Sequence, residues 1–444
     1  MFTYYLKLAT KSVLSTPWLT ALTVAAIGLG IAVPTTIISI HHLFAQNPIP
    51  HKSDVLYNVR VDSWDPNSEF FDIRPGDPPK HVTYRDMAGM MESDVPTYRT
   101  GIASALIFLF PEDENLRPYQ TLVRLCHADF FAMFEVPFQF GSGWSRDTDV
   151  RRERVLVLSR EANEKLFGGR DSVGETLRLG PETFTVVGVL DHYRPTPQYY
   201  DVINNSMGKP REIFVPFDLI REPSLDLSLS GDTDSWGPSV SRDDPDAFFT
   251  ASEVTWIQYW VEVAPDRIEA YRDFVDNYTL AQKELGRFPR PINNRVTPLM
   301  EWMEVRGVVP PASIALVIIS LLFLAVCCLN LMGLLLGKFL SRSGVLGVHR
   351  ALGASKASVF YQRLLECELV GVIGGVAGVA LAALALRLLS TVMPSFIMPA
   401  DLFQVDGFSL VVALGLALLA GLASGLYPAW RACRIAPAIQ LKLQ

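Results

Sequence analysis

Four stretches of the chain carry no charge and are long enough to cross about 30 Å of hydrocarbon: Trp18–Ile40, Ala312–Gly337, Leu369–Leu386 and Phe408–Ala429. The third is the shortest and can extend through Glu368 or Arg387 by snorkelling. Between the first and second runs the apolar period changes. Val55–Val61 alternates as a strand does, Thr83–Glu92 reads as a short helix and Tyr98–Phe110 as a strand. The same order returns later, with strand Val254–Val263 and then a helix that Asp266 caps, its apolar side carrying Ile268, Tyr271, Val275, Tyr278 and Leu285. Gly286 stops that helix, and Arg295–Met300 returns as a strand. Two βαβ-like halves thus flank an insertion, Leu125–Pro216, that is rich in strands. Within it Arg154–Leu158 is a strand, and Ser159 caps a helix that runs to Phe167 and ends at Gly168-Gly169. Thr176–Leu179 and Thr183–Leu190 form a hairpin around Gly180-Pro181. Arg221–Ser252 is polar and reads as a flexible excursion despite Leu225, Leu227 and Leu229. The predicted fold class is a membrane α-helical protein with four transmembrane helices plus an extracytoplasmic α+β domain.

Charge sets the orientation. The net charge is −7, but Ala45–Pro311 carries −14 and the remainder +7. The basic residues outside that segment are Lys7 and Lys11 before the first run, five in Lys338–Arg363, Arg387, and Arg431, Arg434 and Lys442 after the last run. Cationic short loops stay in the cytoplasm, so both termini and Lys338–Arg363 are placed inside, and the acidic segment outside. Ahead of the first run, Phe2, Leu6, Ala9 and Val13 share a helical face opposite Lys7 and Lys11, the pattern of an amphipathic helix on the inner leaflet. Ser15, Thr16 and Pro17 end it, Trp18 sits at the interface, and Pro34 is expected to kink the span. The first run is too long for the core of a secretory signal and no small-x-small cleavage site follows, so it is expected to be retained. Of five cysteines, Cys126 alone lies in the external segment, which excludes an internal disulfide there.

The loop Lys338–Arg363 carries Lys338, Arg342, Arg350, Lys356 and Arg363 and no acid. Its inner part, Val345–Phe360, has helix-forming content with apolar Val345, Leu346, Val348, Leu352 and Val359, interrupted by Gly353. Such an element is either an interfacial re-entry segment or a docking knob for a cytoplasmic partner. Catalytic signatures are absent: no GxxxxGK[ST], HExxH, CxxC or GxSxG occurs, and Gly353-Ala-Ser-Lys356 is only a fragment of a phosphate loop. His41 and His42 read as interfacial residues, with no further metal ligands indicated. The spans hold Ser, Thr and Asn330 but no central ionisable group, which argues against an ion-coupled carrier. Glu366 and Glu368 read as interfacial counter-charges. Gly371 with Gly375, and Gly374 with Gly378, form two overlapping GxxxG spacings that let another helix approach. The chain is read as neither enzyme nor metal protein, and no nucleic-acid partner is expected.

These residues resemble the permeases of the macrolide-exporter MacB and FtsX-like type. VLGVHRALGAS (Val345–Ser355) is similar to the family's EIG-hydrophobic-RRALGAS signature, with Gln362 and Glu366 matching the Gln and acid that follow it. YPAWRACRIAPAIQL (Tyr427–Leu441) is similar to its C-terminal ending. FGSGW (Phe140–Trp144), RVLVLSREANEKLFGG (Arg154–Gly169), VGETLRLG (Val173–Gly180) and FTVVGVL (Phe184–Leu190) resemble its extracytoplasmic domain. The resemblance implies an inner-membrane, multi-pass permease of an ABC transporter, laid out as a cytoplasmic helix (1–17), spans at 18–44, 312–337, 364–393 and 408–429, a coupling loop (338–363), an external loop (394–407) and a tail (430–444). The external domain (45–311) would have a porter-like part (54–124 and 253–301), an inserted lobe (125–216) and the flexible 221–252. Two permeases, identical or different, would pair above two ATPase subunits supplied as other chains. ATP and Mg would bind only on those subunits, and this chain would bind no cofactor. The ATPase-coupling residues would be Val345, Leu346, Gly347, Val348, His349, Arg350, Ala351, Leu352, Gly353 and Ala354. Two departures stand out: the signature Glu is Val345 and the first Arg of its pair is His349, which removes the usual polar docking contact. A heteromeric pair whose other permease keeps the acid would restore it. The implied function is export of a peptide, antibiotic or other amphiphile, with a periplasmic adaptor and outer-membrane channel as further partners. The alternatives are an FtsX-like regulator of an external cell-wall hydrolase and a lipoprotein-releasing permease.

Overall fold

A computed structural model describes residues 2–72, 74–112, 116–225, 227–238, 240, 244–341, 353–392 and 399–434. The chain forms two compact units, Gln46–Val308 and the combination of Met1–Ala45 with Val309–Gln444.

The Gln46–Val308 unit is built on one mixed sheet of eleven strands. In chain order the strands are β1 (Leu56–Arg60), β2 (Tyr98–Phe110), β3 (Tyr119–Cys126), β4 (Phe138–Gly141), β5 (Val155–Leu158), β6 (Thr176–Leu179), β7 (Glu182–Leu190), β8 (Ile213–Pro216), β9 (Ser228–Ser230), β10 (Asp234–Ser235), β11 (Val254–Thr255), β12 (Gln258–Glu262) and β13 (Arg295–Pro298). The main path runs β13-β1-β12-β2-β3-β8-β5-β7-β4, and β10 and β11 form a separate ribbon. Its first four strands are all antiparallel and complete a split βαβ plait, with helix Tyr84–Met90 between β1 and β2 and helix Ile268–Glu284 between β12 and β13. The insertion lies between β2 and β12 and continues the same sheet through β3.

Local chemistry sets the elements. Thr83 caps the first plait helix, its hydroxyl accepting from the Asp86 amide at 3.0 Å and donating to the Asp86 carboxylate at 2.7 Å. Asp86 is itself fully buried and paired with Arg287 at 2.7 Å. In the second plait helix Tyr271 and Val275 face the core, as the 3.6-residue period requires. Two expectations fail in that helix. Its N-cap is Arg267, with no side-chain cap bond, so Asp266 lies one residue too early, and Leu285 falls beyond the last turn and is exposed. Ser159 caps Arg160–Phe167, and Gly168 and Gly169 leave it at positive φ, where glycine has no steric cost.

The described part of 221–252, expected to be flexible, contains regular elements. Leu225 is fully buried, Leu227 and Leu229 pack on the core, and β9 pairs with β2 at Ser104–Leu106. Asp244 caps helix Pro245–Thr250, and β10 pairs with β11. Leu225 ends a short 3-10 turn, Pro223–Leu225, and Leu229 lies in β9, so the leucines pack on the core from two different local structures.

The other unit holds an amphipathic helix, Phe2–Leu14, and four apolar helices long enough to span a membrane: Pro17–Ala45, Pro311–Ser341, Lys356–Val392 and Gly407–Arg434. Pro17 opens the first, which continues as helix through Pro34. The third has 37 residues, about 55 Å at 1.5 Å per residue, so it exceeds the hydrocarbon thickness. Hydroxyls inside the spans bond back to their own helix: Thr36 to the Ala32 carbonyl at 2.8 Å and Ser424 to that of Ala420 at 2.6 Å. His41 meets the Ser313 hydroxyl at 2.9 Å, and His42 stacks on Phe408 with ring centroids 3.8 Å apart.

The four glycines of the third span divide between two neighbours. A Cβ on Gly374 would lie 2.6 Å from Ile27, and one on Gly378 3.0 Å from Ile31, both in the first span. A Cβ on Gly375 would lie 2.6 Å from Ala417, and one on Gly371 3.1 Å from the Ala417 carbonyl, both in the fourth. Both GxxxG rows are therefore occupied by helices of the same chain.

Candidate coupling site

The second span remains helical to Ser341 and the third begins at Lys356, so both ends of the expected 338–363 loop are continuations of the spans. Ser355 opens the third helix, its hydroxyl accepting from the Ser358 amide at 3.1 Å. Gly353, at φ +99°, adopts a conformation that L side chains rarely take, shortly before the third helix begins. Ala354 packs with Phe360 against Val359 and Cys433, joining the start of the third helix to the end of the fourth. Of the expected coupling residues, Val345, Leu346, Gly347, Val348, His349, Arg350, Ala351 and Leu352 lie outside the described residues.

Between these two helix ends sits a buried ion cluster. Glu366, 1% exposed, accepts from Lys338 Nζ at 2.6 Å and from Arg363 at 2.7 Å, and the Ser12 hydroxyl donates to it at 2.8 Å. The Arg363 guanidinium also lies over the Phe339 ring, 4.9 Å from its centroid. Lys338 and Arg363, both placed by the sequence in the basic loop, are each 7% exposed. Their spacing explains the pairing in part: Arg363 and Glu366 are three residues apart on one helix. The contributions of Lys338 and Ser12 come from other helices and leave no local signal. Together they tie the amphipathic helix, the end of the second span and the start of the third to one carboxylate.

The carboxylate is fully engaged by Lys338, Arg363 and Ser12. Among the described residues, no group of three His, Cys, Asp or Glu side chains could hold a metal ion. What the cluster can do is mechanical: it fixes the two ends from which 342–352 departs.

The profile of the MacB-like periplasmic core domain matches residues 20–273, and that of the FtsX-like permease C-terminal region matches 317–437. The chain belongs to the MacB and FtsX-like permease family. It is the permease part of an ABC transporter, set in the inner membrane with its large domain outside. It is 22% identical over 333 residues to the macrolide export ATP-binding/permease protein MacB of Pasteurella multocida, covering 73% of this chain and 44% of that protein. It is 25% identical over 315 residues to the pyoverdine export ATP-binding/permease protein PvdT of Pseudomonas syringae pv. syringae, covering 70% and 41%. The permease thus spans less than half the length of these curated relatives. Among solved structures, the periplasmic region of MacB from Actinobacillus actinomycetemcomitans aligns with TM-score 0.36 and 12% identity, over 57% of this chain and 93% of that one. The extracellular domain of YknZ from Gram-positive bacteria aligns with TM-score 0.33 and 15% identity, over 55% and 99%.

Proposed function

We propose that this permease couples ATP hydrolysis on a separate ATPase subunit to movement of its external domain, and so drives export of an amphiphile or peptide. In this reading Val345–Ala354 docks on the ATPase, which carries the ATP and Mg, and two permeases pair above two ATPase subunits. The observation that carries it is the Glu366 cluster. A segment that receives force needs fixed ends, and Lys338 and Arg363 hold both ends of this one on a single buried acid. The relatives' names join ATP-binding and export in one protein, which supports a link between ATP and export, whichever chain carries the ATPase.

Changing Leu352 to Asp tests the docking role. Leaving a charge buried and unpaired in a partner groove costs about 3–5 kcal/mol, and each 1.4 kcal/mol is a tenfold change in affinity. The variant should reach the membrane at normal levels yet lose ATPase co-purification and ATP-dependent export together. A well-expressed Leu352→Asp permease that still holds its ATPase would remove this loop from the interface.

A further inference from the structure

The external unit contains a cavity of about 330 Å³ where the chain enters and leaves the insertion, within the range of small-molecule sites. One wall is helix Tyr84–Met90 with Met91; the other is helix Arg146–Arg151, and His127 and Asp218 line the space between them. Its apolar lining is soft, with Met87, Met91 and Val150, and methionine adapts to irregular shapes. Val150 is 82% exposed, at the open side of the cavity.

The polar lining is unbalanced. Asp129 is satisfied: Arg146 grips it at 2.6 and 2.7 Å, and the Arg99 amide adds a bond at 3.0 Å. The Arg99 guanidinium, also in the lining, donates to the Ser93 carbonyl at 2.7 Å. His127 accepts from the Gly101 amide through Nδ1, and burial holds it below its usual pKa, so it contributes no charge. That leaves Asp149 and Asp218. Asp149 accepts from the Ala128 amide and the Trp144 indole, both at 2.7 Å, and Asp218 from the Tyr84 hydroxyl at 2.6 Å. Among the described residues neither has a cation at ion-pair distance. Burial pushes Asp149 up to about 7, since its two neutral donors only partly offset the loss of water. A cation placed beside Asp149 would favour its ionised form, and two acids with no described cation at ion-pair distance over a methionine and valine surface suit a molecule with a cationic head and an apolar body.

We propose that this cavity binds a cationic amphiphile, its ammonium group facing Asp218 and Asp149 and its apolar body lying on Met87, Met91 and Val150. The inference rests on the external unit alone and does not depend on the ATPase reading. No ATP or ATPase enters its test, so either can fail without the other.

The test uses the full chain in lipid nanodiscs, labelled with ¹³C at the methionine methyls. The Met87 and Met91 signals are assigned by Met87→Leu and Met91→Leu. Hexyltrimethylammonium, hexanesulfonate and hexanol share one tail and differ in charge. The cation should shift the Met87 and Met91 signals saturably, while the anion and alcohol leave them in place at the same concentration. Asp218→Asn should weaken the cation about tenfold or more, the usual scale for losing a charged partner. Val150→Lys sets a competing charge at an exposed position, where folding is not at risk, and should abolish the shift. Equal shifts from all three probes would overturn the proposal. So would movement of Met332 in the second span without Met87 and Met91, which marks partition into lipid, or wild-type titrations in both Asp218→Asn and Val150→Lys.

Discussion

Glu366→Gln is expected to destabilise the membrane unit by about 3–5 kcal/mol, the range for breaking a buried ion pair by removing one partner. Glu366 is the only acid at ion-pair distance from Lys338 and Arg363 among the described residues, and all three are nearly inaccessible to solvent. Glutamine keeps the shape and can still accept from Ser12, but leaves two buried cations without a counter-charge. Thermal unfolding of the detergent-solubilised permease should show a clearly lower midpoint and poor recovery. A companion variant separates stability from coupling. Replacing Lys338, Arg363 and Glu366 together by leucine removes every charge and should restore stability, since apolar replacements of whole buried ion clusters are often neutral or stabilising. If the cluster positions the coupling segment, that triple variant should be well folded and yet fail to stimulate its ATPase. A Gln variant as stable as the parent would show that the cluster carries no structural load.

A comparable loss is expected outside the membrane for Asp201→Ala. Asp201 is fully buried, pairs with Arg124, and accepts from Gln258 at 2.6 Å and from Asn204 at 2.7 Å. The one carboxylate therefore links β3, β12 and helix Val202–Asn205, so it joins the insertion to the plait. Its removal leaves Arg124 buried and unpaired, at a cost of about 3–5 kcal/mol. Urea unfolding followed by tryptophan fluorescence would register this as a lower midpoint. The same group gives a pH signature. Burial works to raise the Asp201 pKa, but Arg124 and the donors around it outweigh burial and hold it below the usual carboxylate value. A depressed folded pKa means that its contribution is complete above the unfolded value and is lost as the pH falls through the folded one. The parent should thus lose stability on the acid side of the ordinary aspartate range, and Asp201→Asn should flatten that limb. An unchanged acid limb in Asp201→Asn would assign it to other carboxylates.

Much of this architecture was legible in the sequence because its signals are local. Uncharged runs marked the spans, alternation marked β1, and Ser159 with Gly168 bracketed a helix. The helix–strand order on either side of the insertion gave the split plait, although neither half repeats the other in sequence. Where the reading failed, composition had been weighed over individual apolar residues. Around Leu225, Leu227 and Leu229 the polar neighbours hid three leucines that pack on the core. The candidate site was legible only at its edges. Glu366 was legible as a counter-charge near the basic loop, and it pairs with Arg363 three residues away, but Lys338 and Ser12 reach the same carboxylate across 28 and 354 positions of chain. No spacing rule operates over such distances. The cavity is the extreme case, since its lining comes from five separate stretches that only the sheet brings together.

The division of glycines on the third span bears on how the protein can change over evolutionary time. Gly374 and Gly378 admit the first span on one side while Gly371 and Gly375 admit the fourth on the other, so a side chain at any of the four meets an atom of the neighbouring helix at 2.6–3.1 Å. Sequence drift there is closed on both faces of one helix. The second span, whose side chains are mostly uncovered by its own chain, is free to exchange one apolar residue for another. Variation among close relatives should therefore collect on the second span and thin out on the third, leaving the record of substitution uneven from helix to helix within one membrane.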